Sequence, residues 1–231
     1  MGVNSLGSSV AALSSAQVGI SYMGWWREHV VPRMADRLLD SEDVHRLRAR
    51  ACEHLRGDVL ELGFGSGLNT GHYPPSVRSV AAIEPSDVAW RMAGQRVAAT
   101  SVPVTRAGLD GQHLQITDDS MDGVLSTFTM CTIPDLDAAL SELVRVLRPG
   151  GSVHFVEHGR SDDARVARWQ DRLQPVNARI AGGCHIDRPI ADHLRRSGLQ
   201  VERLESRYDK GPKPFGFLYV GWATKPVPGA R

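Results

Sequence analysis

Residues 61–67 read Glu61-Leu62-Gly63-Phe64-Gly65-Ser66-Gly67, a carboxylate followed by three glycines at alternate positions. Glycine has no Cβ, so this stretch can turn sharply and let a ligand approach the backbone closely. Roughly twenty residues after the first glycine comes Glu84, with Pro85 and Ser86 behind it; a carboxylate at that spacing can accept hydrogen bonds from both hydroxyls of a ribose. Further along, Asp110, Gly111, Gln112 and His113 form a polar stretch, and Ser126, Thr127 and Phe128 follow an apolar run. Two histidines beside other reactive groups, His158 after Glu157 and His185 after Cys184, can exchange a proton near neutral pH. A free thiol ionises near pH 8.5, so sulfur chemistry would need little more than such a histidine.

The glycine pattern separates two ligand classes. A dinucleotide turn needs G-x-G-x-x-G, but the last position falls on Leu68 when counted from Gly63 and on Thr70 when counted from Gly65. No pyrophosphate is therefore expected on this turn, and Glu61 is free to serve a cationic group instead.

The elements that must hold these residues alternate between strand and helix. Asp58 to Leu62, Ser79 to Ile83, Val102 to Thr105, Asp122 to Ser126 and Ser152 to Val156 read as strands, with Pro103 marking the third as an edge. Helical spacing fills Ser86 to Ala98 and Leu136 to Leu147, the latter closed by Arg148-Pro149-Gly150-Gly151. Alternation of this kind gives a parallel sheet with helices on both faces, and open sheets bind ligands at the carboxyl ends of their strands. Ser21 to Arg56 has helical spacing, with a break expected near Val31 because of Pro32. Towards the end, Asp162 to Ile180 and Arg188 to Ser197 read as helices, and Val201 to Leu204 and Phe215 to Ala223 as late strands. We therefore divide the chain into a helical cap, 1–56, and an α/β domain, 57–231, carrying a helical insertion at about 162–186.

Composition removes several function classes. The chain has 231 residues, 27 Lys+Arg against 26 Asp+Glu and a formal charge of +1, so it lacks the excess of basic residues that nucleic acid requires. Mean hydropathy is -0.24, and no apolar run is long enough to cross a bilayer. Cys52, Cys131 and Cys184 are odd in number and far apart in sequence, which suggests neither a disulfide framework nor a zinc ribbon. The sequence thus predicts a cytoplasmic protein without a metal. Met1 to Ile20 has no Lys or Arg, so it is not expected to be a secretory signal, and Leu6 stands where myristoylation requires Ser or Thr. A loosely packed leader or a lid over the site is the expectation there.

E-x-G-x-G-x-G followed by Glu84 is similar to the first motifs of class I S-adenosylmethionine-dependent methyltransferases. Asp118-Asp119-Ser120-Met121-Asp122 resembles that family's entry to the fourth strand, and Leu143 to Gly151 resembles its helix-stop-strand signature. Within the family, Val156-Glu157-His158, Trp169-Gln170, Gly183-Cys184-His185-Ile186 and the aromatic-glycine run from Phe217 to Trp222 resemble the small-molecule thiol S-methyltransferases. That branch is related to ubiquinone and menaquinone C-methyltransferases and to phospholipid N-methyltransferases. The resemblance implies a Rossmann-like seven-stranded sheet in the order 3-2-1-4-5-7-6, with strand 7 antiparallel.

It also implies roles for the residues above. Glu61, Gly63 to Gly67, Glu84 to Ser86, Asp110 to His113 and Ser126 to Phe128 would hold S-adenosylmethionine, leaving S-adenosylhomocysteine as product. His158 and His185 would assist catalysis. Tyr22, Trp25, Trp26, Cys131, Trp169, Cys184 and Phe215 would line the acceptor pocket. A small-molecule thiol or dithiol is the expected acceptor, in detoxification or self-protection. A quinone precursor methylated at carbon, an amine or phospholipid methylated at nitrogen, or S-adenosylmethionine binding without turnover remain open at this level.

Overall fold

The structure, a computed structural model, describes residues 24–229. Residues 24–29 are helical (α1), and α2 (Val31–Leu38) follows after a turn at Val30, with Pro32 accommodated in its first turn, where its missing N–H needs no partner. Helix α3 (Glu42–Cys52) is capped by Ser41, whose hydroxyl accepts from the Val44 amide. The alternating part then runs β1 (Gly57–Leu62), β2 (Val77–Ile83), α4 (Asp87–Ala99), β3 (Val104–Gly108), β4 (Met121–Thr127), α5 (Leu136–Val146) and β5 (Leu147–His158). After it come α6 (Ala164–Ile180), α7 (Ile190–Arg196), β6 (Gln200–Tyr208) and β7 (Phe217–Thr224).

The seven strands form one sheet in the order β3-β2-β1-β4-β5-β7-β6, with β7 antiparallel to both neighbours. Successive side chains on a strand point to opposite faces, and that alternation builds the two halves of the core. Leu60, Val124 and Phe155 pack on one face with Leu140, Leu143, Ile190 and Leu194. On the other face, Val59, Leu125 and Val156 meet Leu47, Cys52 and Leu55. Chain order reverses between β1 and β4, so the carboxyl ends of these two strands flank the crevice where such sheets bind ligands.

Two elements depart from the sequence reading. The third strand begins at Val104 rather than Val102, because Pro103 contributes only its carbonyl, which accepts from the Val80 amide. β5 starts at Leu147 rather than Ser152: Leu147 pairs with Met121, and the Arg148-Pro149-Gly150-Gly151 stop is taken into the strand through a register shift. Among the described residues no helix is long and apolar enough to cross a membrane. The expectations for Met1 to Ile20 lie outside the described residues.

At the antiparallel edge, Gly221 faces a register shift between Val201 and Arg203, and a Cβ built on it would lie 1.9 Å from the Arg203 carbonyl oxygen. Gly221→Ala is expected to lower the unfolding free energy by about 1–3 kcal/mol through overpacking. Urea titration checks this, and an unchanged midpoint would contradict the close approach.

Candidate active site

The glycine turn leaves β1 with Gly63, Gly65 and Gly67 at φ of 70°, 59° and 79°, in the left-handed region that glycine enters without steric cost. The amides of Gly63 and Phe64 both donate to the Ile83 carbonyl, 2.9 and 3.1 Å away, which ties the turn to the end of β2. Among the described residues a Cβ placed on Gly65 would meet nothing within 4 Å, so the backbone here faces open space. Beside it, Glu84 accepts from the Gly65 amide at 2.6 Å through one oxygen and from the Ser86 amide at 2.7 Å through the other. Burial pushes this carboxyl above its ordinary range against those two donors. Each carboxylate oxygen has two lone pairs, so acceptor capacity remains for ribose hydroxyls.

The N-terminal helices close on this turn. Asp36 of α2 accepts from the Ser66 hydroxyl at 2.6 Å and from Arg96 at 2.8 Å. Glu28 of α1 accepts from the Ser86 hydroxyl and the Val88 amide at the start of α4. Across the crevice, Asp110 accepts from the Gln112 amide, and Gln112 in turn accepts from the Asp135 amide. Gly111 comes so near Leu62 that a Cβ would lie 2.4 Å from its methyl. His113 lies 3.1 Å from Asp110 and is exposed.

Beneath the turn sits a buried polar network that the sequence reading missed. Asn69 donates to Glu61 and to the Thr127 hydroxyl, both at 2.9 Å, and the Tyr73 hydroxyl donates to the other Glu61 oxygen. Arg48 donates to Asn69 at 2.8 Å and to Thr127 at 2.7 Å, with its guanidinium 5.5 Å from the centre of the Phe128 ring. Burial pushes Glu61 up to about 7 despite these partners. The Arg48 Nε is buried and has no partner among the described residues. The signal was available: Arg48 occupies the apolar stripe of α3 with Val44, Leu47, Ala51 and Cys52, a place for a charge only if something there needs it.

On the far side of the crevice a second buried glutamate organises the loop after β4. Glu157 accepts from the Ser126 hydroxyl at 2.7 Å and from the amides of Thr129 and Cys131. Phe128 is held at φ 58° in this loop, a conformation that costs a non-glycine residue energy and that clusters at functional sites. Its ring centre lies 5.0 Å from that of His158 at the end of β5. The Cys131 and Cys184 sulfurs approach to 3.6 Å, and His158 Nδ1 lies 4.0 and 3.9 Å from them. Thus two cysteines far apart in sequence meet in space. Hydrogen bonding from Cys131 and the charge of His158 bring Cys184 down to about 5, while Cys131 is pushed up. Burial opposes a charge on His158, but the Cys184 thiolate outweighs it and raises the imidazole.

The remaining expected residues are more dispersed. His185 is half-exposed, with Nδ1 3.0 Å from Gln174 and 3.8 Å from Asp187, outside the Cys131/His158/Cys184 cluster. On α6 the buried face is Val166, Ala167, Gln170 and Gln174; Trp169 is 54% exposed, with Arg172 over its ring, because adjacent helical residues point about 100° apart. Phe215 is 40% exposed. Trp25 stacks on His29, and the Trp26 indole donates to the Ile180 carbonyl, joining α1 to the end of α6. Tyr22 lies outside the described residues.

Residues 60–155 match the family model of the methyltransferase domain. A thiol S-methyltransferase of Rattus norvegicus is 31% identical over 178 residues, which cover 71% of this chain and 66% of that protein. The chain belongs to the class I S-adenosylmethionine-dependent methyltransferases. A phosphatidylethanolamine N-methyltransferase of Cereibacter sphaeroides is 31% identical over 135 residues, 58% of this chain and 66% of its own. The fold is shared with phospholethanolamine N-methyltransferase 2 of Haemonchus contortus, solved with phosphomonomethylethanolamine and S-adenosylhomocysteine; TM-score is 0.60 at 14% identity, over 85% of this chain and 60% of that one. The chain spans just under two thirds of the curated thiol S-methyltransferase it matches. Open space over Gly65, the Glu84 carboxylate and the unpartnered Arg48 nitrogen fit the family's cofactor.

The Glu61 shift has a measurable consequence. Between its ordinary value of 4.5 and about 7, the folded chain holds a proton on Glu61 that the unfolded chain has released, so folding loses stability as pH rises through that window. Glu61→Gln removes this dependence. The unfolding free energy of the wild type is expected to fall relative to the variant between about pH 5 and pH 7, as read from denaturant titrations. Parallel pH profiles would contradict the shift.

Proposed function

We propose that this protein is an S-adenosylmethionine-dependent methyltransferase whose acceptor is a small-molecule thiol or dithiol. The supporting observation is the placement of His158 beside Phe128 at the carboxyl ends of β4 and β5, where an imidazole with a raised pKa eases the ionisation of a nearby thiol. Similarity to thiol S-methyltransferases over 71% of the chain supports the same reading.

When bound, S-adenosylmethionine supplies an electrophilic methyl group. Glu84 accepts from the ribose hydroxyls, and the Gly63 to Gly67 turn admits the methionine part. Arg48 offers its free Nε to the carboxylate, and the Asp110 to His113 loop frames the adenine. Phe128 and the α1 and α2 helices exclude water from the crevice, which strengthens each of these polar contacts. Because thiolate is already a strong nucleophile, the protein's task at the acceptor is to lower the cost of ionisation and to align the sulfur. We divide the chain as before, with 1–56 as cap and 57–231 as the domain that carries the chemistry.

Incubation with methyl-labelled S-adenosylmethionine and a panel of thiols, amines and quinols tests the acceptor. Label is expected on thiols, with turnover rising with pH towards each thiol's own pKa. Label on amines or quinols alone would overturn the thiol assignment, and cofactor binding without transfer to any acceptor would overturn turnover itself. In calorimetry, Glu84→Ala is expected to weaken cofactor binding by about 1–3 kcal/mol, the cost of leaving ribose hydroxyls without their acceptor. Unchanged affinity would remove Glu84 from that role.

A further inference from the structure

We propose that Cys131, His158 and Cys184 form a binding site for zinc, or a divalent cation of like softness, with a fourth coordination position left for the acceptor's thiolate. In tetrahedral zinc, bond lengths of about 2.3 Å to sulfur and about 2.0–2.1 Å to nitrogen put two sulfurs about 3.8 Å apart and sulfur about 3.5 Å from nitrogen. Here the separations are 3.6 Å between sulfurs and 3.9 and 4.0 Å from sulfur to Nδ1, so the three atoms outline one face of such a tetrahedron within a few tenths of an ångström. Three ligand atoms converge, and the Cys₂His set is one that zinc uses when it keeps a position open for water or substrate.

The backbone behind the ligands is held by buried polar groups, more than packing two small side chains requires. The Cys131 amide is held by Glu157, and its carbonyl accepts from the His185 amide at 2.8 Å, stapling the two cysteine loops together. The Cys184 carbonyl accepts from Gln174 and Asn177 at 3.2 and 2.7 Å. Arg188 donates to the carbonyls of Met130 and Ile133 at 2.6 and 2.7 Å, pinning the loop that carries Cys131. Outer contacts that fix ligand orientation in this way are what metal sites depend on. Both cysteines are buried and His158 is half-buried, so the histidine side is the route of access.

The metal would enter as a divalent ion while the three ligands release the protons they carry, leaving two thiolates and a neutral imidazole around it. An acceptor R–SH then replaces bound water: the metal–oxygen bond breaks, a metal–sulfur bond forms, and the thiol proton leaves to solvent. This last step rests on the thiol reading given above; the site itself does not.

Cobalt(II) titrated into the reduced protein without oxygen is the test. One equivalent is expected to raise sulfur-to-cobalt charge-transfer absorption and intense tetrahedral d–d bands, both erased by one equivalent of zinc. Cys131→Ser and Cys184→Ser should each lose charge-transfer intensity, and Cys52→Ser, altering a buried thiol outside the cluster, should keep it. Absence of these bands in the folded wild type overturns the site whatever the variants do. Adding 2-mercaptoethanol to the cobalt form is expected to increase the charge-transfer intensity, and no increase overturns the open position. Methyl transfer to thiols without any cobalt band would sink the metal site alone, whereas a sound band with label on a non-thiol acceptor would sink the thiol reading alone.

Discussion

Three glutamates at strand ends, Glu61 on β1, Glu84 after β2 and Glu157 on β5, are removed from water where the sheet meets its crevice. A carboxylate in such a place is costly unless donors surround it, and each finds its donors in a different loop. Glu61 takes Asn69 and Tyr73, Glu84 takes the amides of Gly65 and Ser86, and Glu157 takes Ser126 with two amides of the loop after β4. The need to satisfy these groups determines where the loops lie, and the loops carry the chemistry. Removing one partner would leave a buried oxygen unsatisfied, a larger loss than the contact is worth in isolation.

The same logic explains the helices outside the alternating part. Arg48 is drawn into the stripe of α3 by the electrostatics of Glu61, and it reaches Asn69 and Thr127 on either side of the point where strand order reverses. Asp36 and Glu28 bring α2 and α1 onto the glycine turn and the start of α4. α6 buries two glutamines whose amides serve the Cys184 loop and the Gly159 carbonyl. Polar side chains therefore help to place α1, α2, α3 and α6 around the crevice, while the apolar core determines the sheet.

The sheet was legible because its determinants are local. A six-residue apolar strand, a glycine turn and a helix repeat with a period that sequence displays directly, and the late strands show their aromatic-glycine pattern in the same way. Glu84 and the turn were legible for the same reason, being close in sequence with a known chemical complement. Arg48 was not, since its partners are 21 and 79 residues away. Nor was the meeting of Cys131 and Cys184, which depends on β5 and α6 folding one loop back over another across 53 positions. On α6 the helix turns Gln170 inward and leaves the Trp169 indole half-exposed, a difference set by helix rotation and not by the Trp169-Gln170 pair itself.

The central claim is that the crevice between β1 and β4 receives an adenosyl group with a methionine tail, and that Arg48 meets the tail. Calorimetric titration of wild type and Arg48→Met with S-adenosylhomocysteine and with adenosine separates the two ends of the ligand. The account predicts that the variant loses at least about tenfold affinity, roughly 1.4 kcal/mol, for S-adenosylhomocysteine while adenosine binding is unchanged. Equal affinity of both proteins for S-adenosylhomocysteine, or failure of the wild type to bind it, would contradict the account.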